Sequence, residues 1–363
     1  MSRNSSELSS LLEPVKLGSI QMNNRVVMAP MTRSRASNDD LVGDMHVCYY
    51  EQRASAGLII TEGVHPSAVG KGYCRTPGLY NQAQVDAWRR VTDAVHARGG
   101  KIVCQLMHCG RVGHPDNKAP GVEAVAPSAI AAKGKIFTET GMQTMMQPRA
   151  LETDEIAGVI AEYVQATRLA LAAGFDGVEL HCASGYLPAQ FLSTGTNQRN
   201  DQYGGSLANR IRFVVEVIEA ICAVAGVDRV GIRICPGNPF NDLSDDNPEE
   251  TFEALLRAID HLGLAYLHVI RMDAGVDNIA LAHRCFSGPV ILNESYQPAE
   301  AAAAIRDGLG VAVSFGRAYI ANPDLVERIE AGAELAAVDF STLYAAGPEG
   351  FIDYPPMART DGE

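Results

Sequence analysis

Basic residues are scarce in this sequence: 30 Lys and Arg residues stand against 43 Asp and Glu residues, which gives 363 residues a formal net charge of -13. A surface that binds nucleic acid or an anionic membrane needs clustered Lys and Arg, so this charge balance disfavours both partners. A phosphorylated ligand stays possible, because such a site needs only one local Arg and a few backbone N–H groups.

Long apolar runs are also missing. The sequence has no uninterrupted apolar run long enough to span a membrane, so we expect no membrane-spanning segment. Residues 1–10 are polar and lack the apolar core of a signal peptide, and we therefore expect a cytoplasmic protein.

The Cys residues number eight, but they include no C-x-x-C pair and no Cys/His cluster with zinc-ligand spacing. Several lie in apolar runs, such as Cys104 within residues 101–107. We therefore predict reduced thiols that pack as small hydrophobic side chains, and no metal site.

The chain shows a regular alternation of short β-branched apolar runs and longer stretches with helical periodicity. The predicted strands are 25–29, 58–64, 101–107, 177–181, 229–234, 265–270, 289–293 and 312–315. The predicted helices are 44–56, 82–98, 153–173, 207–225, 248–262, 274–285, 298–308 and 323–331. The sequence Thr-Asp-Glu-Ile at the start of the third predicted helix favours an N-cap at Thr153 followed by acidic residues.

This order predicts an α/β protein with a closed (β/α)₈ TIM barrel, a single domain over residues 1–363. An open doubly wound sheet is the alternative. Such a sheet usually carries a G-x-G-x-x-G motif after its first strand, whereas the first strand here runs into Pro30-Met31-Thr32-Arg33.

Three segments lie outside the alternation. Residues 15–22 predict an N-terminal hairpin that plugs the amino end of the barrel. Residues 108–152, rich in Gly, Pro and Ala, predict a lid insertion after the third strand, at the face where barrel active sites lie. The aromatics within residues 351–354 either fold over the barrel mouth or belong to an anchored terminus.

Polar residues follow the apolar strands at the end where barrel active sites lie. The candidates are Gln105 after strand three, Glu179, His181, Ser184 and Tyr186 at strand four, Arg233 at strand five, Asn293 and Ser295 at strand seven, and Ser314, Gly316 and Arg317 at strand eight. Their convergence on one rim predicts a site for one large polar ligand. Arg317 fits an anion site, because barrels often bind phosphate with the loops after strands seven and eight. A surface ion pair is the alternative for this residue.

Longer motifs lie at residues 24–33, 52–57, 105–108, 174–181, 197–210 and 315–324. Together they resemble the Old Yellow Enzyme family of FMN-dependent ene-reductases, most closely its bacterial N-ethylmaleimide and pentaerythritol tetranitrate reductase branch. The resemblance covers nearly the whole chain. The block at 197–210, Asn-Gln-Arg-Asn-Asp-Gln-Tyr-Gly-Gly-Ser-Leu-Ala-Asn-Arg, is its most specific part.

The resemblance implies noncovalent FMN across the barrel mouth, with NADPH or NADH as reductant. Thr32 would donate to the flavin C4 carbonyl, Ala56 would line the ring, and Gln105 would pair with the pyrimidine edge. Arg233 would lie near N1 and the C2 carbonyl, and Arg317 would hold the phosphate. The other implied cofactor-binding residues are Pro30, Met31, His181, Asn293, Ser295 and Gly316.

The reaction that the resemblance implies has two halves. A nicotinamide gives hydride to the flavin and leaves, and a small electrophilic alkene, conjugated to a carbonyl or nitro group, then takes hydride from flavin N5. His181 would bind the substrate oxygen, and Tyr186 would donate the proton. A phenol with an ordinary pKa of about 10 is protonated at neutral pH, which suits this role. We expect a monomer or a homodimer.

Four positions depart from the family pattern. Ser184 stands where the family usually has His or Asn. Either one donor to the substrate oxygen is lost, a change that typically costs about 10²–10³ in rate, or the preferred substrate is bulkier. Met107 replaces a frequent Trp and Phe351 a frequent Tyr, which predicts a roomier or more apolar substrate pocket. Glu294 lies in a usually Gly-rich segment facing the phosphate, and we expect its side chain to point away.

Other functions stay open from the sequence. The same scaffold serves a flavin-dependent nitrate-ester or nitro reductase, or an isomerase or desaturase. A barrel that keeps FMN only as a structural ligand, or a flavin-free phosphate-binding lyase, is the alternative from a different class.

Overall fold

A closed barrel of parallel strands forms the centre of the protein, whose computed structural model describes residues 7–357. The eight strands are β1 (Val26–Met28), β2 (Leu58–Val64), β3 (Ile102–Leu106), β4 (Gly177–Cys182), β5 (Val230–Ile234), β6 (Tyr266–Ile270), β7 (Val290–Asn293) and β8 (Ala312–Phe315). Each strand pairs with the next, and β8 pairs with β1. The predicted (β/α)₈ barrel is confirmed, and the open doubly wound sheet is wrong.

Helices surround the barrel, and each barrel strand is followed by one of them. They are α1 (Asp44–Glu51), α2 (Gln82–Ala97), α3 (Ile156–Ala172), α4 (Leu207–Ala225), α5 (Pro248–Ile259), α6 (Asn278–Cys285), α7 (Pro298–Arg306) and α8 (Leu325–Ala331). The sequence did not predict the shorter helices Ser9–Leu12, Leu187–Leu192 and Arg317–Ala321. The N-cap expected at Thr153 is wrong, because its hydroxyl donates to Asp201 and α3 begins only at Ile156.

A hairpin closes the amino end of the barrel, where Val15–Leu17 pairs with Ile20–Met22. Its apolar side chains are buried in one hydrophobic cluster with Val27 and Tyr266 of the barrel strands. The predicted plug is therefore confirmed, and it leaves the carboxyl end of the barrel as the open face.

The strand register places polar side chains of neighbouring strands side by side. His181 of β4 lies opposite Arg233 of β5, and Arg233 lies opposite His268 of β6. Gln105 of β3 lies opposite Glu179 of β4 in the same way. Side chains alternate along a strand, so Glu179 and His181 point to the same face. These polar groups therefore meet at the carboxyl end of the barrel.

The insertion at residues 108–152 follows β3 and carries two short strand pairs. Lys135–Thr138 and Gly141–Thr144 form an antiparallel hairpin, and Val125–Ala126 pairs in parallel with Arg149–Ala150. The predicted lid insertion is thus present at the carboxyl end of the barrel. No helix within residues 7–357 is both long enough and apolar enough to cross a membrane.

The cysteines are all free, and all except Cys48 are buried. Burial raises the pKa of Cys109 to about 12 and that of Cys235 to about 11, so both stay as thiols at neutral pH. The prediction of reduced, packed thiols is confirmed.

Candidate active site

A cavity of about 150 Å³ opens at the carboxyl end of the barrel. Its lining residues are Pro30, Thr32, Gly63, Gln105, Met107, His181, Ser184, Tyr186, Arg233 and Phe240. All of these residues except Gly63 and Phe240 are site residues predicted from the sequence. A larger cavity of about 480 Å³ lies between the loops that follow β5 and β6, and it contains none of the predicted site residues.

A buried polar network lies in the barrel wall beside this cavity, and Glu179 is its anion. One carboxylate oxygen of Glu179 accepts from Gln105 Nε2 at 2.8 Å, and the other lies 2.9 Å from His268 Nδ1. Because an ionised carboxylate can only accept, Nδ1 of His268 carries the proton. Nε2 of His268 is then an acceptor, and Ser314 Oγ lies 2.7 Å from it.

Arg233 is the cation of the same network. Its Nη2 donates to Asn293 Oδ1 at 2.7 Å, and its Nη1 lies 3.2 Å from Nε2 of His268. Asn293 also donates to the carbonyl of Ser314 at 3.1 Å, so its amide is fixed on both sides. The guanidinium is therefore oriented by side chains of β6 and β7 while it borders the cavity.

The charged and ionisable groups of the network shift one another's pKa values. Burial opposes the ionisation of Glu179, but His268 and Arg233 hold the pKa of Glu179 below its ordinary value. Burial, followed by the positive charge of Arg233, lowers the pKa of His268. The network therefore contains an ionised Glu179, a neutral His268 and a cationic Arg233, since guanidinium groups keep their proton in proteins.

His181 presents a single N–H donor to the cavity. Its Nδ1 accepts from the backbone N–H of Ala183 at 3.3 Å, which places the ring proton on Nε2. Burial, followed by the charge of Arg233, lowers the pKa of His181 to about 3. The imidazole is therefore neutral at physiological pH.

Tyr186 lies edge-on to His181, with 4.8 Å between the ring centroids. Its hydroxyl is 3.1 Å from the hydroxyl of Tyr73. Burial and the neighbouring Tyr73 raise the pKa of Tyr186 well above its ordinary value, and burial raises the pKa of Tyr73 to about 12. Both phenols are therefore protonated at neutral pH.

Sequence reasoning missed Tyr73. It lies in the loop between β2 and α2, after the carboxyl end of a barrel strand, where residues can reach the cavity. Its position in a loop after a strand end was the only sign that it could belong to the site, because its neighbours in the sequence carry no recognisable motif.

Ala56 lies at the wrong end of its strand for the predicted role. It precedes β2 and is buried near the amino end of the barrel, where Gly57 N donates to Val26 O. A strand of this length separates its two ends by about 3.3 Å per residue, so Ala56 cannot line a ring at the carboxyl end. The prediction for Ala56 is wrong, and Gly63, at the other end of the same strand, lines the cavity instead.

Phe351 also lies outside the cavity, which corrects its predicted place in the substrate pocket. It is fully buried and stacks on Tyr49, with 4.1 Å between the ring centroids. The guanidinium groups of Arg33 and Arg35 lie over its ring, and Arg33 Nη2 also donates to the carbonyl of Gly350 at 2.7 Å. The aromatic tail is therefore an anchored terminus at this residue.

The predicted phosphate end lies in the loops after β7 and β8. Arg317 Nη2 donates to Glu294 Oε1 at 2.8 Å and to Ser295 Oγ at 3.1 Å. The expectation that the Glu294 side chain points away is therefore wrong: Arg317 is the nearest cation, and the carboxylate pairs with it. Met31 lies beside Gly316, where an added Cβ would meet Met31 Sδ at 3.4 Å, so the ends of β1 and β8 meet here.

Comparison with known proteins gives a consistent result. A family model described as NADH:flavin oxidoreductase / NADH oxidase matches residues 10–336. A probable flavin mononucleotide-dependent alkene reductase of Leishmania infantum is 42% identical, over 98% of this chain and 100% of that protein. A solved structure of morphinone reductase in complex with tetrahydroNAD is 44% identical with a TM-score of 0.92, covering 97% of this chain and 99% of that one. An Old Yellow Enzyme homologue from Zymomonas mobilis is 38% identical with a TM-score of 0.93, covering 96% and 99%.

The buried network yields a prediction about stability. Replacing Glu179 with Ala leaves Arg233 and His268 without their carboxylate, and breaking a buried pair in this way typically costs about 3–5 kcal/mol. The midpoint and slope of urea-induced unfolding, followed by circular dichroism, measure this loss. The control is Glu139→Ala, which removes the exposed partner of Arg75 and should cost less than about 1 kcal/mol. Equal, small losses in both variants would contradict the role of the network.

Proposed function

Because this chain belongs to the NADH:flavin oxidoreductase / NADH oxidase family, we propose that it is an FMN-dependent enzyme that uses NADPH or NADH to reduce activated carbon–carbon double bonds. Family membership confirms the resemblance to Old Yellow Enzyme and the FMN cofactor, and the flavin-free lyase is wrong. The observation that carries the reaction is the pair of neutral donors, His181 and Tyr186, on one wall of the cavity.

The residues at the barrel mouth fit a flavin. Thr32 lines the cavity, and its hydroxyl makes no hydrogen bond with any residue in the described range 7–357, so a donor is available there. Gln105 and Arg233 line the same cavity and are already oriented by Glu179 and Asn293. We propose that these three side chains hold the flavin ring. When bound, FMN supplies the two-electron carrier between the nicotinamide and the alkene.

His181 has the role of binding the electron-withdrawing oxygen of the substrate. Its Nε2–H is free to donate, because Nδ1 is engaged with the backbone of Ala183. A fixed donor aimed at an oxygen that gains charge stabilises the transition state without reorganisation. The neutral ring suits this role at every pH above about 3.

Tyr186 has the role of donating a proton to the alkene carbon. Its hydroxyl is held by Tyr73 at 3.1 Å, so Tyr73 is a positioning residue that fixes the direction of the phenol. Met107 packs in the same hydrophobic cluster as Tyr186 and excludes water from this side. A retained acid favours net reduction over isomerisation, which can proceed without a proton donor.

The substrate end favours a bulky, apolar electrophile over a small enone. Ser184 adopts a left-handed backbone with φ of 56°, and its carbonyl accepts from Asn241 Nδ2 at 2.8 Å. Its short hydroxyl leaves room where an imidazole would reach further. Phe240 borders the same cavity and is 56% exposed, so it offers an apolar surface at the entrance. We propose that the substrate extends from His181 towards Phe240.

The two-step reaction yields a prediction for Tyr186→Phe. The variant should be reduced by NADPH or NADH as fast as the unmodified enzyme. Its reaction with an enone should slow by about 10²–10⁴, the usual contribution of a positioned acid. Anaerobic stopped-flow absorbance of the flavin measures the two steps separately. Tyr73→Phe is the control, and it should slow the alkene step less. An equal loss in the nicotinamide step would contradict the assignment.

A second prediction concerns pH. The acid Tyr186 loses its proton only well above its ordinary pKa, and His181 gains a proton only near pH 3. The rate of the alkene step should therefore be independent of pH between about 5 and 9. The same stopped-flow experiment, with reduced enzyme mixed into buffered alkene, provides the profile. A titration step within this range would mean that another group is the acid.

Ser184→His tests the proposed substrate class. His tolerates a left-handed backbone, so the variant should fold, and it adds an N–H that can reach a small substrate's oxygen. We expect the rate on cyclohexenone to rise about tenfold or more, since one donor of this kind is typically worth about 10²–10³. The control Ser184→Ala adds no donor and should give no gain. An unchanged rate in Ser184→His would show that position 184 does not face the substrate.

A further inference from the structure

The phosphate end of the site already contains an anion supplied by the chain itself. Glu294 Oε1 accepts from Arg317 Nη2 at 2.8 Å and from the hydroxyl of Ser295 at 2.7 Å. Arg317 and Ser295 are side chains expected to bind the cofactor in these loops. One carboxylate oxygen therefore accepts from both, as a phosphate oxygen would.

The backbone brings this carboxylate into place. Glu294 and Ser295 have φ of 86° and 57°, in the left-handed region that favours glycine. The carbonyl of Glu294 accepts from Arg271 Nε at 2.8 Å, which holds the turn. The loop after β7 thus directs the Glu294 side chain to Arg317, although a side chain here is strained and glycine would not be.

The ion pair can be displaced by a ligand. The side chains of Arg317 and Glu294 are 57% and 44% exposed, and water screens pairs of this kind strongly. A phosphate that carries up to two negative charges binds an Arg fork more strongly than one carboxylate does. Displacement leaves the Glu294 carboxylate next to the incoming phosphate, where like charges repel.

We propose that Glu294 sets the flavin specificity of this site. Its carboxylate competes with the FMN phosphate for Arg317. Because riboflavin lacks the phosphate, this competition makes the affinity for FMN exceed the affinity for riboflavin by a smaller factor. The proposal rests on the proposed function, because it assumes that the flavin phosphate binds at Arg317. The ring end of the site, in the barrel wall, plays no part in this preference, since FMN and riboflavin have the same ring.

The test compares the two flavins in one experiment. Holoenzyme is equilibrated with an excess of FMN and riboflavin in equal amounts and is then desalted rapidly. Chromatography of the released flavins gives the ratio of FMN to riboflavin that was bound. Effects of a substitution on folding or on contacts with the flavin ring cancel in this ratio, because they change the binding of both flavins equally.

The informative variant is Glu294→Gln, which removes the charge and keeps the side-chain length and the strained backbone. We expect it to raise the bound ratio about fivefold, the size of one screened charge interaction at a surface. The matched control is Glu249→Gln. It removes an equal charge from another exposed pair, in which Glu249 lies 2.7 Å from Arg284, and should leave the ratio unchanged.

The other outcomes are decisive. An unchanged ratio in Glu294→Gln overturns the proposal, and so does a lower one, which would mean that the carboxylate holds Arg317 ready for the phosphate. Arg317→Gln should lower the ratio; if it does not, the phosphate binds elsewhere and the proposal falls. Unmodified protein that binds neither flavin overturns the proposed function together with this inference, whereas failure of Glu294→Gln alone overturns only the inference.

Discussion

The site depends on a cation buried in the wall of the barrel. Arg233 is only 8% exposed, and placing a guanidinium there costs free energy unless its charge and its N–H groups are satisfied. Asn293 accepts one donor, His268 lies against another, and the charge of Glu179 balances the group. These partners lie on β4, β6 and β7, and Arg233 lies on β5, so the parallel pairing of these four consecutive strands assembles the network. This is the physical reason that apolar strands of this protein carry polar residues near their carboxyl ends.

Burial, joined at His181 by the charge of Arg233, determines the protonation state of the two donors at the cavity. Burial and Arg233 together keep His181 neutral, so its ring offers one N–H and does not act as a proton source. Burial keeps the Tyr186 hydroxyl protonated at neutral pH, as its proposed role of proton donor requires. In the proposed reaction, binding of the substrate oxygen and transfer of the proton are divided between these two side chains, whose rings are 4.8 Å apart. A cationic His181 would have made that division ambiguous, because it could have donated a proton itself.

The sequence predicted the barrel because parallel strands buried on both faces appear as short, nearly continuous apolar runs. It also predicted the strand-end residues, since parallel strands all end at one rim. The predictions from the sequence failed for residues whose positions depend on tertiary contacts. Tyr73 reaches the hydroxyl of Tyr186 from a loop without a motif, and Phe351 follows a tail whose path depends on distant arginines. The error at Ala56 was avoidable, because a residue that precedes a barrel strand lies at the end opposite to the active site.

The ring end and the phosphate end of the proposed flavin site are built differently, so substitutions at the two ends are expected to have different effects. At the ring end, Gln105 and Arg233 are nearly buried side chains on barrel strands, and each is held by another side chain, so a change at either residue is expected to alter folding and reaction together. The phosphate end consists of exposed side chains in two loops, and Arg317 there has only Glu294 and Ser295 as side-chain partners among the described residues. Glu294 is therefore not part of the hydrogen bonds that orient Arg233, although its charge acts on that guanidinium. The left-handed backbone of Glu294, with φ of 86°, lies in the loop after β7 and outside the barrel strands, so the strain does not interrupt the pairing of β7 with β8.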